Sequence, residues 1–339
     1  MIVKRIKNGL KRRIIHAKRY GSVWNYLHGF YQETRDLNGI NKNNYKSFLD
    51  DRRYMMGHPY NGHFSSIIDN KIYLPYLLKD FPENIPHYYF YITNGKIKSM
   101  NKALEDGFDS FICLLNREKT LALKQCYSSF GKGFYVIEKS EKGRVRINKK
   151  DSCFDDLKML FSEMKDYVCT EYVRQHEYSM KICSTSLNTI RFLCVRDEEE
   201  GVFFVARCFH RFGIEGSVVD NLGGGNGYLF LVDKDTGILK SNGAKNVENK
   251  GEVYLDKLDY PKGLVHGGML IPNYHEVKQK IIQISNSIPF LRYIGWDVAI
   301  TNDGFKIIEA NSLTSLGVLQ RDGGFLDDEK LCKFYFTKL

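Results

Sequence analysis

Near its end the chain carries three side chains whose spacing could hold a cation. Two runs of β-type residues flank an Asn-Asp-Gly turn signal, which predicts a β-hairpin. With a three-residue loop, 302–304, antiparallel pairing sets Asp297 opposite Glu309, and Asn311 points to the same face. Carboxylates about 5 Å apart at Cβ repel each other unless a positive charge lies between them. Two carboxylates and an amide oxygen suit Mg²⁺, so the hairpin predicts a Mg²⁺ site.

The neighbours of these residues predict a hairpin with one open face and one buried face. Gly295 and Ala299 share the face of Asp297 and are expected to leave open space above the carboxylates. The opposite face is expected to be core, and it carries Ile294, Trp296, Val298 and Ile300. An exposed hairpin face with ordinary charges would have the same spacing, and both interpretations stay open at this point.

A second group of residues follows a predicted strand. Lys124 lies on this strand, and the Ser/Gly-rich loop 127–133 leads back into a second strand. Backbone N–H groups of such a loop can fold over phosphate oxygens, and the lysine would add a positive charge beneath them. No helix follows, so the loop is neither a P-loop nor a dinucleotide fingerprint. An ordinary glycine-rich hairpin is the alternative.

Arginines lie on the next two predicted strands. Arg191 is midway along one strand and Arg207 lies on its antiparallel neighbour. Alternation puts Asn188 on one face of the first strand and Thr189 with Arg191 on the other. The loop 219–227 follows with four glycines, which indicates close backbone approach or mobility.

Composition narrows the class of protein. A chain of 339 residues allows one large or two medium domains. Residues 1–20 hold eight Lys or Arg and no acid, whereas the rest of the chain carries about +2 of the net charge of +10, so no nucleic-acid-binding surface is expected. Eight scattered cysteines without metal-type spacing, and the lack of a secretory or membrane-spanning apolar run, predict a cytoplasmic protein.

The basic segment 1–20 is predicted to be an amphipathic helix. Its apolar residues recur at helical spacing, with Lys and Arg on the other side. Such a helix can lie peripherally on an anionic membrane, here the inner membrane surface. The alternative is a helix that docks its apolar stripe on the domain.

In this order, the motifs resemble those of the ATP-grasp enzymes, most closely the branch associated with sugar transfer and cell-surface polysaccharide loci. The resemblance covers about residues 71–320. It is carried by Lys124 with its loop, Thr170–Val173, Asn188–Arg191, Asp220–Asn221 with Gly223–Gly224, Gly295–Asp297 and Ile308–Asn311. It implies an α+β fold in which two α+β subdomains clasp ATP and Mg²⁺. The expected division is a basic helix at 1–20, an N-terminal region at 21–100, a lid subdomain at 101–175 and a C-terminal subdomain at 176–339.

The resemblance also implies roles for individual residues. Lys124, Arg191 and Arg207 would hold the phosphates or an acyl phosphate and act in catalysis. Asp297, Glu309 and Asn311 would bind Mg²⁺. Nucleotide contacts would come from Lys124, Ser128, Ser129, Gly131, Lys132, Gly133, Glu171, Tyr172, Val173, Glu177 and Asn188. Gln125 departs from the pattern, since many relatives have proline there. The first hundred residues lack the βαβ pattern common in the family, which leaves the acceptor region open.

Three functions are compatible with this sequence. The first is an ATP-dependent ligase that joins an amine to a small-molecule or glycan carboxylate, such as an amino acid to a uronic acid of a surface polysaccharide or capsule. The second is a phosphotransferase of the same fold. The third is a nucleotide-binding scaffold without turnover, which the retained lysine and metal ligands disfavour.

Overall fold

The computed structural model describes residues 18–128, 133–140, 144–217, 219–220, 227–247 and 251–336. The predicted basic helix therefore lies outside the described residues up to position 17. In the part that is described, no helix combines the length and the apolar character needed to cross a bilayer.

Alternating apolar residues build two antiparallel sheets, which together contain all fourteen strands of the described ranges. The first sheet has the order β2-β1-β7-β3-β4-β5-β6 and the second β12-β11-β10-β9-β8-β13-β14. The first comprises β1 (Tyr88–Thr93), β2 (Lys96–Ser99), β3 (Thr120–Gln125), β4 (Phe134–Lys139), β5 (Val145–Ile147), β6 (Lys150–Ser152) and β7 (Tyr167–Glu171). The second comprises β8 (Ile190–Arg196), β9 (Phe203–Phe212), β10 (Tyr228–Val232), β11 (Leu239–Val247), β12 (Gly251–Leu255), β13 (Tyr293–Thr301) and β14 (Gly304–Asn311). The first sheet thus begins at Tyr88, ahead of the expected subdomain boundary at 101.

Eleven α-helices of the described residues cover the sheets and join them. They are α1 (Val23–His28), α2 (Gln32–Leu37), α3 (Asp51–Gly57), α4 (Ser65–Ile68), α5 (Leu74–Leu77), α6 (Phe108–Glu118), α7 (Phe154–Glu163), α8 (Glu177–Ile182), α9 (Tyr274–Asn286), α10 (Leu316–Leu319) and α11 (Glu329–Phe336). Helices α6 and α7 bury apolar residues against the first sheet. Helix α9 covers one face of the second sheet, and α3, α10 and α11 contribute to the cluster on its other face.

Both faces of the hairpin β13–β14 have buried residues. Ile294, Trp296, Val298 and Ile300 are buried on the α9 side, as expected. Trp296 also donates its indole N–H to Ser285 Oγ on α9 at 2.9 Å. Because a buried indole N–H needs a partner, this bond helps to fix how the helix lies on the sheet.

The hairpin has the expected pairing but a different turn. Asp297 pairs with Glu309, as predicted. The turn contains two residues rather than three, since Thr301 pairs directly with Gly304, and an irregularity in β14 at Ile308 restores the register. The predicted loop was therefore wrong by one residue. The bulge adds one residue to β14, which compensates for the shorter turn.

Segments of the N-terminal region connect the two sheets. Lys306 on β14 donates to Ile85 O at 3.0 Å, and Asp69 accepts from both the backbone and the hydroxyl of Ser312, just after β14. The backbone N–H of Lys71 bonds to Cys126 O beyond β3 at 3.1 Å. These bonds fix the residues before β1 at the junction of the sheets.

Candidate functional site

A cleft lies where the two sheets meet, and its space measures about 680 Å³ when the part open to solvent is included. Its walls come from the end of β3, the start of β4, the 187–189 and 219–220 segments and the β13–β14 hairpin. It is lined by Lys71, Lys124, Gln125, Ser128, Gly133, Phe134, Leu187, Thr189, Arg211, Val219, Asp220, Asp297, Ile308 and Glu309. Three cations and three carboxylates are therefore close together in one partly enclosed space.

Asp297 is the most buried of these carboxylates and accepts hydrogen bonds from two arginines. Arg191, directly across from it on β8, donates from both Nε and Nη2, the latter at 2.8 Å. Arg211 on β9 donates from Nη2 at 2.9 Å. Burial raises the pKa of Asp297, but Arg191 and Arg211 more than offset this and hold the pKa well below its usual range. Asp297 is therefore ionised and fixes both guanidinium groups.

Arg211 is held by a second carboxylate on its other side. Asp220 lies 3.5 Å from Arg211 Nε and accepts from the backbone N–H of Thr189 at 2.9 Å. Arg211 also donates to Thr189 Oγ1 at 2.6 Å. Burial raises the pKa of Asp220, which Arg211 partly offsets. The guanidinium of Arg211 is thus oriented by fixed partners at the wall of the cavity.

Two lysines from different elements face Glu309. Lys71, from the turn before α5, places Nζ 3.0 Å from Glu309 Oε2 and donates to Ser128 O at 2.9 Å. Lys124 on β3 is buried, and burial together with the nearby charge of Lys71 lowers its pKa to about 8, although Glu309 and Glu171 act in the opposite direction. The repulsion between the two ammonium groups makes this end of the cavity suited to an anion.

The structure brings most of the predicted phosphate and metal residues together. Lys124, Ser128, Gly133, Asp297 and Glu309 line the cavity, and Arg191 reaches it through Asp297. Asn311 follows on β14, paired with Gly295, and donates from Nδ2 to Gly295 O at 3.3 Å. Three predicted loop residues, Ser129, Gly131 and Lys132, lie outside the described residues.

The space above Gly295 is not open, contrary to the expectation from sequence. A Cβ at this position would come within 2.5 Å of Thr314 Cγ2 and 3.3 Å of Arg191 Cδ. Glycine is therefore needed here because a side chain and an arginine stem pass directly over the backbone.

Three of the predicted adenine and ribose residues lie around a neighbouring cavity, whose space measures about 1190 Å³ when the part open to solvent is included. Tyr172, Val173 and Glu177 line it, and it shares Leu187 with the first cavity. The carboxylate of Glu171 lies elsewhere: it accepts from the backbone N–H of His87 at 3.1 Å and lines a different groove. Glu171 itself therefore does not line the cavity beside Tyr172 and Val173.

The predicted site residues Asn188 and Arg207 are held by partners away from both cavities. Asn188 is buried and fully bonded: its amide donates to Ser179 O at 3.1 Å and its oxygen accepts from Gly213 N at 3.0 Å. It ties the turn after α8 to the end of β9. Arg207 shares the face of Arg211, but it lies four residues, roughly 14 Å, further along β9. There it packs over Phe325 and lies 3.7 Å from Asp328.

The arginine of β9 that lines this cavity is therefore Arg211 and not the predicted Arg207, and Lys71 was not predicted. Arg211 has the same spacing signal as Arg207, being an arginine on the same face of the same strand. What separates them is the cover provided by the C-terminal segment, which closes over Arg207 and leaves Arg211 at the cavity wall. Lys71 had no signal in the local pattern, because its position depends on how the N-terminal region packs against β3 and β14.

The donor set fits Mg²⁺ in its chemistry. Asp297, Glu309 and Asn311 offer hard oxygen ligands on one hairpin. A carboxylate offers about four lone-pair positions, of which Asp297 gives three to the arginines. Among the described residues no three His, Cys, Asp or Glu side chains converge as a ready-made metal site. Most of the lone pairs that an ion could use therefore belong to Glu309 and Asn311.

A family profile matches most of the chain. The sequence profile of the family described as sugar-transfer associated ATP-grasp matches residues 51–328. No curated protein matches the sequence.

Three solved structures illustrate a more distant similarity. The ATP-grasp ligase PsnB complexed with minimal precursor shares 11% identity, with a TM-score of 0.40, over 83% of this chain and 64% of its own. D-alanine–D-alanine ligase from Bacillus anthracis shares 11% identity, with a TM-score of 0.41, over 80% of this chain and 67% of its own. D-alanyl-alanine synthetase A from Vibrio cholerae shares 11% identity, with a TM-score of 0.44, over 80% of this chain and 65% of its own. This chain therefore spans about two thirds of the length of these proteins, and similarity at this level does not extend to activity or substrate.

Proposed function

The chain belongs to the sugar-transfer-associated ATP-grasp family, and we propose that it is an ATP- and Mg²⁺-dependent ligase that joins an amine to a carboxylate through an acyl phosphate. The observation that carries the proposal is the row of ionised groups at the junction of the sheets. Arg191, Asp297 and Arg211 lie side by side on three adjacent strands and face Lys124 and Glu309 across one cavity.

The two adjoining cavities suit the two halves of ATP. The cavity beside Tyr172 and Val173 would take the adenosine, with Glu177 near the ribose and backbone groups of 171–173 along the adenine edge. The cavity with Lys124 would take the phosphates. Leu187 borders both, so a nucleotide could extend from one into the other.

Acyl phosphate formation requires two anions to meet, because a carboxylate must approach the γ-phosphate. Fixed cations offset the repulsion and stabilise the charge that spreads over the transferring phosphoryl oxygens. Arg211 is already oriented by Asp220, Asp297 and Thr189, so it needs little reorganisation during the reaction. In this proposal it holds the reacting phosphoryl group or the carboxylate, the role that sequence assigned to Arg207.

Glu309 and Asn311 would be the main Mg²⁺ ligands, with the remaining lone pair of Asp297 as a third. When bound, Mg²⁺ neutralises charge on the nucleotide phosphates. Lys71 and Lys124 would share the phosphate oxygens, and the reaction requires that water be excluded, because water hydrolyses an acyl phosphate.

The substrates we propose follow from the family rather than from a contact in the cavity. The carboxylate would be a uronic acid or similar group of a cell-surface polysaccharide precursor, and the amine an amino acid or related donor. Such a reaction would take place in the cytoplasm, where ATP is available.

Trapping with hydroxylamine tests the reaction. The protein is incubated with ATP, Mg²⁺ and hydroxylamine and a panel of uronic acids and amino acids, and hydroxamate, ADP and phosphate are measured. We expect hydroxamate in amounts equal to ADP for at least one acid, and a large loss with Arg191→Lys, because an ammonium cannot reproduce the two-pronged contact of a guanidinium. A stable phosphorylated product without hydroxamate would instead identify a phosphotransferase.

A further inference from the structure

Two short helices of the N-terminal region present an apolar face that no described residue covers. On α1, Val23, Tyr26 and Leu27 are exposed, with Val23 at 76% and Leu27 at 68%. Their spacing of three and four residues puts them on one side of the helix. On α3, Met55 and Met56 are exposed as well, Met56 at 68%. We name these five residues the α1–α3 patch.

The two halves of the α1–α3 patch form one surface because Arg52 joins them. The guanidinium of Arg52, on α3, lies 5.2 Å from the ring of Tyr26 and 5.6 Å from that of Tyr20, and donates to Tyr26 O. Arg52 precedes Met55 and Met56 by three and four positions and so shares their side of α3. Exposed apolar side chains on neighbouring helices, with cations around them, are typical of an interaction site.

The segment that carries the α1–α3 patch has a net positive charge, since residues 18–57 hold seven Lys or Arg and four Asp or Glu. Lys18 and Arg19 are exposed just before α1, and Arg53 lies at the other end over Phe336 at 4.2 Å. Six further Lys or Arg occur within residues 1–17, without an acid. Two of these cations have an acid beside them: Asp50, which caps α3, lies 3.9 Å from Arg53, and Glu33 lies 4.0 Å from Arg19.

We propose that the α1–α3 patch docks on an anionic lipid bilayer, with Val23, Leu27 and Met56 entering the headgroup region and the cations contacting lipid phosphates. Apolar side chains beside lysines and arginines are the combination that binds such a surface, since burial of apolar area and attraction to anionic lipid add together. Tyrosine suits the same interface, because its ring is apolar and its hydroxyl can remain in water.

Docking in this way would hold the cavity near the membrane. Helix α3 carries Tyr54 on its inner side, where the hydroxyl donates to Thr314 O at 2.8 Å. Thr314 in turn lies against Gly295 beside Arg191. About one helix diameter, roughly 10 Å, separates the patch from this cluster.

Vesicle binding tests the inference on the full chain. Vesicles of phosphatidylcholine alone, or with one third phosphatidylglycerol, are sedimented with wild type, with Leu27→Asp/Met56→Asp, and with Met159→Asp as a matched control, since Met159 is 62% exposed on α7. We expect binding that requires phosphatidylglycerol, weakens with salt, and falls at least tenfold in the double variant but not in the control. All three proteins should melt at the same temperature.

Tryptophan fluorescence provides a second readout at the patch itself. Of the two tryptophans, Trp296 is fully buried, whereas Trp24 lies on α1 beside the patch. Anionic vesicles should therefore shift the emission of Trp24 to shorter wavelength. The inference fails if wild type ignores anionic vesicles, binds neutral ones equally, or binds as well with both aspartates in place. It also fails if the double variant changes only the oligomeric state measured by light scattering, which would assign the patch to a second copy.

Discussion

Replacing Asp297 by asparagine should destabilise the protein by about 3–5 kcal/mol, because it removes the charge from a buried carboxylate that two arginines share. Arg191 makes two hydrogen bonds to Asp297 and Arg211 makes one. With an effective dielectric constant of about 20, unit charges about 4 Å apart attract by about 4 kcal/mol. Arg211 keeps Asp220 as a partner at 3.5 Å, so most of the loss should arise at Arg191.

The free energy of unfolding would be measured by urea titration at pH 7, followed by circular dichroism. Asp235→Asn is the matched control, because Asp235 also contacts two cations, Lys234 at 3.1 Å and Lys278 at 2.9 Å, but is 67% exposed. Exposed pairs contribute about 0.2–1 kcal/mol, so this variant should lie close to wild type. A loss below about 1 kcal/mol for Asp297→Asn, or equal losses in the two variants, would refute the idea that burial makes this ion pair important.

Three further predictions concern the cavity and the N-terminal region. Arg211→Met should weaken binding of a non-hydrolysable ATP analogue at least tenfold by titration calorimetry, the loss of about 1.5–3 kcal/mol expected for a charged hydrogen bond, while Arg207→Met leaves it within twofold. Lys71→Met should weaken the same binding about tenfold, because it removes a cation 3.0 Å from Glu309. Burial raises the pKa of Asp51 to about 6, so the folded state binds its proton more tightly than the unfolded state. The stability that this group contributes is therefore fully present below about pH 4 and is lost as pH rises to about 6. This pH-dependent part of the free energy of unfolding amounts to roughly 3 kcal/mol, and urea titrations should not find it in Asp51→Asn.

Each of these predictions has a contrary result. Equal effects of Arg211→Met and Arg207→Met on analogue binding would contradict the proposal that Arg211, and not Arg207, contacts the nucleotide. Tighter analogue binding in the lysine variant would show that Lys71 competes with the ligand. If the free energy of unfolding had the same pH dependence in wild type and in Asp51→Asn, the Asp51 carboxyl would not be the titrating group.

The pairing of Asp297 with Glu309 could be predicted from sequence because strand alternation is strict and the turn signal is strong. The prediction survived an error in the turn, since the bulge at Ile308 restored the register that a two-residue turn would have shifted. Bulges depend on how the strand packs against its surroundings, and no local sequence pattern in 304–311 indicates this one.

The residues around that pair were harder to predict, for physical reasons that differ. Arg211 and Arg207 are equivalent in strand pattern, and only the packing of Phe325 over Arg207 distinguishes them. Asn188 lies on the face that the alternation indicated, but its bonds to Ser179 and Gly213 come from segments distant in sequence.

The positive charge that the paired carboxylates require is present as protein side chains. Sequence reasoning placed a metal ion there, because like charges so close need a cation. The structure supplies Arg191 and Arg211 at Asp297 and Lys71 at Glu309. An ion bound in addition to these cations would use the oxygen lone pairs of Glu309 and Asn311.

Binding of a non-hydrolysable ATP analogue, with and without Mg²⁺, tests the central claim most directly. Titration calorimetry would compare wild type with Glu309→Gln, and with Glu329→Gln as a control for an exposed glutamate. We expect Mg²⁺ to tighten binding at least tenfold in wild type and in the control and to have no effect in Glu309→Gln, which should keep its fold by circular dichroism. Equal strengthening by Mg²⁺ in all three proteins, or no analogue binding by wild type, would contradict the central claim.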